Sequence, residues 1–557
     1  MEYHDELIET LKEKKIDSNK FNRLKIKLSK KYGLKKIPRN FEVTPYISRE
    51  NFKKFKDTIE TKPMRTISGV APIAIMSKPI RCRHGACIMC PDFIKEGVAM
   101  SYTGKEPASM RAIRNKYSAY LQVMNRLEQY YALKKEVEKI ELIVMGGTFP
   151  SFDKEYQNEF IMEALQAIND FAEMFYKNNK FDYKSFMDFF ELPGEFKNTE
   201  RVKRIQTKLL ENKKITTLEK EQLRNETSKI RNVTMVVETK PDWCFESEID
   251  TMLSQGVTRI ELGVQSIKDD VLKFINRGHN LEDTKKAIRL LKDSGYKVGF
   301  HWMVGLPKTT REEDIAMFRE IFENSDYKPD ALKIYPCMVF KNTALYTLWQ
   351  KGEFQPIATD EAASRIIEMK KYIPKYCRVM RVHRDIPTYR REAGVDRTNL
   401  RQIIHEKMKE ENVICNCIRC REPMHKKIDW DNVKLNKLGY ESANGKEIFL
   451  SFDDVKNDIL LGFLRLRIPF KPFRKEITEN SALVRELHVY GEAISLGEKG
   501  EVQHKGLGIK LMEEAEKISK ELNCKKVVVI SGIGVKEYYR KKLGYKDDGV
   551  YLSKKID

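Results

Sequence analysis

The chain has no run approaching eighteen consecutive apolar residues, so no stretch of it reads as a membrane span. Residues 1–49 also lack the apolar core of a secretory signal, and the expectation is a cytoplasmic protein without a membrane anchor. Acidic residues are in deficit: Lys and Arg outnumber Asp and Glu 103 to 82, a formal net charge of +21. An excess of that size points to a polyanionic partner, nucleic acid first, although a Lys/Glu-rich chain from a heat-adapted proteome would carry one too. Cysteine is sparse, ten in 557 residues, and in a reducing compartment those ten read as metal ligands or buried thiols rather than disulfides. The length exceeds what one hydrophobic core supports and predicts two to four domains.

Acids are missing altogether from Lys20 to Arg39, where nine basic residues interleave with Phe21, Leu24, Ile26, Leu28 and Tyr32. Lys20, Arg23, Lys25, Lys27, Lys30 and Lys31 are candidate phosphate contacts, with the apolar positions free to dock the segment or stack on bases. A solvated charged helix has the same composition. Residues 1–62 are therefore expected to form a basic RNA-binding segment.

What the chain does contain is a dense motif, Lys78 to Pro91, with Cys82, Cys87 and Cys90 in a Cys-x4-Cys-x2-Cys pattern. Three thiolates in nine residues can hold three irons of a [4Fe-4S] cluster and leave the fourth iron open. A zinc knuckle with a distant fourth ligand fits the same spacing, and the cysteines alone do not choose.

The context is more informative. Val70 to Met76 reads as a buried strand, and further strands are predicted at Ile140–Met145, Val233–Thr239, Thr258–Gln265, Lys297–Val304 and Ala331–Pro336, with helices between most of them, such as Asn280–Ser294 and Thr310–Glu323. A long helix is predicted over Pro107–Leu133. Six strands alternating with helices predict a parallel α/β sheet closing into a partial (β/α)6 barrel over residues 63–370. In such barrels the chemistry lies at the C-terminal strand ends, and Cys82, Gly146, Glu238, Gln265 and Pro307 all fall at or just past those ends. A glycine pair lets backbone approach an amine, and a carboxylate can hold an amine or a ribose diol.

Together Cys-x4-Cys-x2-Cys, Gly-Gly-Thr-Phe-Pro-Ser (Gly146 to Ser151), Glu-Thr-Lys-Pro-Asp-Trp (Glu238 to Trp243), Glu-Leu-Gly-Val-Gln-Ser (Glu261 to Ser266) and Asn-Arg-Gly-His (Asn276 to His279) resemble the radical S-adenosylmethionine enzymes. More narrowly, they resemble the family of Elongator catalytic subunits. The resemblance implies a [4Fe-4S] cluster on Cys82, Cys87 and Cys90, with S-adenosylmethionine held by Gly146, Gly147, Thr148, Glu238 and Gln265. The family's gap between its first two cysteines is usually longer than here.

More than eighty residues separate Gly147 from Val233, and residues 155–231 are expected to carry an inserted, charged helical arm that guards the cofactor mouth or grips RNA. Residues 371–433 are expected to be a basic linker. Lys371 to Arg401 holds nine basic residues against three acidic, and Arg381, Arg384, Arg390 and Arg391 are candidate phosphate ligands. Cys415, Cys417 and Cys420 form a second cluster, without barrel context, for which zinc is the expectation; Cys377, His383, His405 and His425 are candidates for a fourth ligand.

Residues 434–557 shift to another architecture. Strand, Gln503-x-x-Gly506-x-Gly508 turn, helix, strand is the order of a GNAT domain, whose turn and helix N-terminus receive the pyrophosphate of acetyl-coenzyme A. By resemblance Glu486, Leu487, His488, Val489, Gln503, His504, Lys505, Gly506, Leu507, Gly508, Tyr538 and Tyr539 contact acetyl-CoA. Tyr538 and Tyr539 are the candidates to protonate or position its thiolate, one of the two being core packing. Both domains in this order extend the Elongator resemblance from Thr66 to Lys555, to an archaeal, stand-alone type that needs no other Elongator subunit.

The implied reaction is modification of a tRNA wobble uridine in the anticodon stem-loop. A 5′-deoxyadenosyl radical takes hydrogen from the acetyl methyl of acetyl-CoA, the carbon radical adds to uridine C5, and thioester hydrolysis leaves 5-carboxymethyluridine. An external electron donor is required, and monomer and homodimer are both open. The rival reading is a protein lysine acetyltransferase that keeps the barrel as a structural module.

Overall fold

The computed structural model describes every residue except 1, 14–15, 60–68, 197, 425, 491–505 and 557, and leaves aside the side chains of Phe41 and Asp57. Residues 3–59 form a small helical unit, Tyr3–Glu13, Ser18–Lys31, Asn40–Val43 and Arg49–Ile59, around Leu7, Leu11, Phe21, Leu28 and Val43. Phe21, Lys25 and Leu28 recur at helical spacing, so Lys25 falls on the buried face and its ammonium bonds to Asn40 Oδ1 (2.5 Å) and Pro38 O (3.3 Å). It is therefore removed from the phosphate-contact set. Lys31 is paired with Glu6 at 2.6 Å, whereas Lys20, Arg23, Lys27 and Lys30 are exposed.

The central sheet is built from β1 (Ala71–Met76), β2 (Lys139–Met145), β5 (Arg231–Thr239), β6 (Arg259–Gln265), β7 (Lys297–Val304), β8 (Ala331–Pro336) and β9 (Arg378–Val382); the intervening β3 (Tyr176–Lys177) and β4 (Lys180–Phe181) form a separate hairpin. The seven strands are all parallel, in the order β1-β2-β5-β6-β7-β8-β9, an open barrel with helices outside. There are seven strands where the sequence pattern predicts six. The seventh is hidden by its composition, Arg-Val-Met-Arg-Val: Val379 and Val382 pack into the core, while Arg378 and Arg381 alternate with them. The sheet thus runs beyond residue 370, and the basic segment opens inside it.

The single helix expected over 107–133 is two, Pro107–Arg114 and Ala119–Ala132. Lys116 and Tyr117 take positive φ of 51° and 60° between them, and the Ser118 side chain caps the second helix. The insertion is no projecting arm. Its helices Thr199–Glu211 and Leu218–Thr227 bury Ile205, Leu209 and Leu218 in the main core, and Arg201 is buried against Glu128 at 2.6 Å.

The last unit is a mixed sheet: β10 (Val433–Ser442), β11 (Gly445–Asp454), β12 (Ile459–Ile468), β13 (Ser481–Val489), β14 (Lys526–Val529), β15 (Lys546–Asp548) and β16 (Tyr551–Lys555). The strands lie in the order β10-β11-β12-β13-β14-β16-β15, antiparallel except for β13 with β14. The sheet docks on the N-terminal ends of the barrel strands through buried ion pairs. Arg485 grips Asp330 with two bonds of 2.8 Å, Arg467 reaches Asp293 at 2.6 Å, and Lys297, at the start of β7, pairs with Glu486. Backbone contact is equally close: a Cβ on Gly532 would lie 2.0 Å from Val233 O of β5. Among the described residues no helix is long and apolar enough to cross a membrane.

Candidate active site

The C-terminal ends of the barrel strands surround a cavity of about 1180 Å³, its open mouth included. Cys82, Cys87 and Cys90 line it from the loop after β1, and Gly147 and Thr148 from the turn after β2. Glu238 and Gln265 enter from β5 and β6, and Arg381 and Arg384 from β9 and its loop. Gly146 sits just behind, with φ +116°, where a Cβ would lie 2.5 Å from Ser77 Oγ and 3.0 Å from Ser77 N. Arg384 donates to Ser101 O and Arg381 pairs with Asp385 at 2.8 Å, and both line the cavity.

The three thiols face cations. Arg277 Nη1 and His84 Nε2 each lie 3.5 Å from Cys87 Sγ, and Lys240 Nζ lies 3.1 Å from His84 Nδ1. Burial, with Lys240 and Arg277 nearby, pushes the His84 pKa down to about 4, leaving it neutral. Burial also raises the Cys82 and Cys90 thiols, Cys90 to about 12, so both rest protonated and a cluster that takes them as thiolates must displace those protons. Gln265 adopts φ +70°, and among the described residues its buried Oε1 has no hydrogen-bond partner. Three sulfurs, flanking cations, an orphan amide oxygen and a cradle at Gly147, where a Cβ would meet nothing nearer than 4.0 Å, fit a cluster with a small amino-acid cofactor beside it.

Beneath lies a polar floor. Lys333 Nζ sits between Glu238 Oε1 (2.5 Å) and Glu261, and His301 Nε2 lies 3.0 Å from Glu261 Oε2. These are register neighbours, Glu238 opposite Glu261 and His301 opposite Lys333, so one level of the barrel carries four ionisable groups. Burial opposes ionisation of the acids, but Lys333 with His301 holds Glu238, and Arg259 with Lys333 holds Glu261, below the ordinary carboxylate range. Burial depresses Lys333 in turn, and Glu238 and Glu261 outweigh it, so it stays charged. Glu238, Glu261 and His301 have metal-ligand spacing, and the cation among them is the lysine.

The Sγ atoms of Cys415, Cys417 and Cys420 lie within 4.8 Å of one another, wedged between β9 and the C-terminal sheet, with Lys370 Nζ 4.0 Å from Cys420 Sγ. Among the described residues no fourth ligand joins them. Cys377 approaches through its carbonyl, which accepts from Ile418 N–H at 2.9 Å. His383 is tied by its backbone N–H to Ile334 O of β8, and His425 lies outside the described residues.

In the last unit β13 pairs with β14 only from Ser481 to Val484, so its second half diverges from that neighbour. Gly506 (φ +70°) opens the helix Leu507–Glu521 beside this divergence, and a Cβ on Gly508 would lie 3.1 Å from Tyr538 Oη and 3.6 Å from Val489. Tyr538 is thus half-buried over a helix N-terminus, whereas Tyr539 is 5% exposed and packs in the core. Glu486 is engaged by Lys297 and by Arg465 (2.8 Å), and the His488 ring stacks on Phe463. Gln503, His504 and Lys505 lie outside the described residues.

Residues 194–321 match the radical SAM superfamily, 329–410 the radical SAM C-terminal domain and 1–67 the ELP3 N-terminal domain. A "tRNA uridine(34) acetyltransferase" of Methanocaldococcus infernus is 45% identical over 93% of this chain and 92% of its own length. "Elongator complex protein 3" of Saccharomyces cerevisiae is 39% identical over 96% and 92%. The chain belongs to the Elongator complex protein 3 family. A solved structure of this family, the Methanocaldococcus infernus Elp3 with an N-terminal deletion, superposes with a TM-score of 0.72 at 42% identity, covering 88% of this chain and all of that one.

For an Elongator complex protein 3 relative, motif reasoning reaches the residues on the cavity wall and misses its floor. Lys333, Glu261 and His301 were within reach: each is an ionisable residue flanked by apolar ones inside a strand, and a buried charge requires a partner.

Proposed function

We propose that this chain modifies the wobble uridine of tRNA with the acetyl unit of acetyl-CoA, giving 5-carboxymethyluridine. The observation that carries the reading is the joint presence of the cysteine-lined barrel cavity and the glycine-opened helix beside a diverging strand pair, in a chain related to tRNA uridine(34) acetyltransferases. A [4Fe-4S] cluster with S-adenosylmethionine, when bound, supplies a carbon-centred radical able to remove hydrogen from a methyl group.

This chain's own residues do the rest. Cys82, Cys87 and Cys90 hold the cluster, and Arg277 and Lys240 offset its charge. Gly147 and Thr148 leave room for the methionine amine, and Gln265 offers it an acceptor. Glu238, fixed by Lys333, faces the cofactor's polar end. At the other site Gly506, Leu507 and Gly508 direct backbone N–H groups at the coenzyme's pyrophosphate, and Tyr538, not the core residue Tyr539, stands over the thioester. Leu487, His488 and Val489 offer the diverging edge of β13, while Glu486 serves the domain contact. Cys415, Cys417 and Cys420 bind zinc and brace β9 against the C-terminal sheet. Lys20, Arg23, Lys27 and Lys30 of the N-terminal helix and Arg390 and Arg391 near the cavity mouth contact tRNA phosphates.

Anaerobically reconstituted protein given tRNA, S-adenosylmethionine, a reductant and acetyl-CoA is expected to release 5′-deoxyadenosine and yield 5-carboxymethyluridine, with Cys87→Ala yielding neither. Unmodified uridine with wild type would sink the reading, and cluster-independent acetylation of protein lysines would put an acetyltransferase in its place.

A further inference from the structure

Between β9 and the helix Leu400–Glu410 a loop crosses the rim of the cavity. It is pinned to β8 and to the segment that follows it: His383 N–H donates to Ile334 O of β8, Glu392 N–H to Val339 O, and Val339 N–H to Ala393 O, at 2.9, 2.9 and 3.1 Å. Gly394, at φ +102°, packs against Cys337 O and Met338, where a Cβ would lie 3.3 Å from each. Its first residues, Arg384, Asp385 and Ile386, line the cavity. Three residues on, at a one-turn helix entered from Pro387, the loop raises Tyr389, whose side chain is 74% exposed. Arg390 and Arg391 follow, each with a buried Nε that has no hydrogen-bond partner among the described residues.

An exposed ring on a doubly tethered loop has little to gain from the protein's own core. Beside the part-exposed side chains of Arg390 and Arg391, it has the composition of a stacking platform for an unpaired base, whose flanking phosphates the two guanidinium groups meet. We propose that Tyr389 stacks on a base adjacent to the target uridine and so holds the single-stranded loop at the cavity mouth. The inference rests on the tRNA reading above. Ring stacking is tolerant of base identity, so Tyr389 sets the position of the RNA and leaves the choice of target base to the cavity.

The full-length protein is titrated with a transcribed anticodon stem-loop carrying 2-aminopurine next to the target uridine. Stacking quenches the 2-aminopurine emission with wild type and with Tyr389→Phe, and not with Tyr389→Ala. Affinity falls by roughly 5- to 100-fold in Tyr389→Ala and is retained in Tyr389→Phe, with the slope against salt unchanged. Arg390→Ala and Arg391→Ala instead flatten that slope. Equal affinity and equal quenching for Tyr389→Ala would overturn the proposal, as would a loss in Tyr389→Phe as large as in Tyr389→Ala. A change of oligomeric state in Tyr389→Ala with RNA binding intact would assign the ring to a protein contact instead. If wild type itself does not bind the stem-loop, the tRNA reading fails first and this inference falls with it.

Discussion

Lys333→Met is the perturbation that tests the cavity floor most directly. Methionine keeps most of the side-chain volume and removes the charge, leaving two buried carboxylates where there was one cation between them. Glu261 retains Arg259 and His301, but Glu238 retains only His301 at 3.9 Å and Tyr102 at 3.5 Å, and His301, lowered by burial, is neutral near pH 7. Removing one partner of a buried pair costs about 3–5 kcal/mol, and most of that should fall on Glu238. In the wild type Glu238 and Glu261 are held low, so their contribution is present above the ordinary glutamate pKa of about 4.3 and is lost as pH falls through the depressed folded values. In the variant the largest charge opposing burial at Glu238 is gone, and burial with the neighbouring Glu261 raises its pKa. The penalty is then greatest where Glu238 must stay ionised and shrinks on acidification once it protonates. Urea unfolding followed by tryptophan emission, with Trp302 as a buried barrel reporter, should show the full loss at pH 7.5 and a smaller one at pH 5. Glu238→Gln placed on Lys333→Met should recover part of it. Wild-type stability at pH 7.5, or a deficit constant between pH 5 and 7.5, would refute the assignment.

Gly146→Ala should abolish S-adenosylmethionine binding by calorimetry, because φ of +116° and a Cβ 2.5 Å from Ser77 Oγ force the turn after β2 to move; adding Ser77→Ala removes the hydroxyl clash but not the strain, and should restore little. Within the N-terminal helix, Lys27→Ala and Lys30→Ala should each reduce the slope of log affinity for tRNA against log salt by about 0.7 to 0.9. Lys25→Ala should instead lower the thermal stability of the N-terminal unit, since it leaves Asn40 and Pro38 without their buried donor.

The wall of the site was legible because its residues sit where the chain changes from strand to loop, and such positions carry short, spaced signatures: three cysteines, a glycine pair, a carboxylate. The seventh strand was not, because the alternation rule looks for polar residues facing water. Arg378 and Arg381 are the polar part of β9: Arg378 pairs with the buried Glu422, and Arg381 lines the cavity beside Asp385. Lys25 misleads in the opposite direction: the basic run has one composition throughout, and only the 21-25-28 spacing marks the lysine that turns inward. The second half of β13 carries no signal of divergence at all, since Arg485 to Val489 reads as an ordinary strand. What parts it from β14 is tertiary, the pairing of Arg485 and Glu486 with Asp330 and Lys297 of the barrel.

That last contact constrains how the two sites can cooperate. Cys82, Gly147 and Gln265 lie at the C-terminal ends of the barrel strands, whereas the edge of β13 proposed to take the coenzyme meets their N-terminal ends at Lys297 and Arg378, whose guanidinium bonds Tyr490 Oη at 2.8 Å. The seven residues of β6, from Arg259 to Gln265, span the two levels, about 20 Å at the usual rise per residue. Between them the barrel interior is ionic rather than apolar: Arg259 bridges Glu141 and Glu261, and Lys333 bridges Glu261 and Glu238. On the proposed reaction, a thioester entering from the N-terminal end would meet groups that are already paired, the Lys297–Glu486 pair first. Of the ion pairs that dock the two domains, Lys297–Glu486 is the one that also stands on the path required by the proposed reaction, so opening that pair would couple docking to transfer.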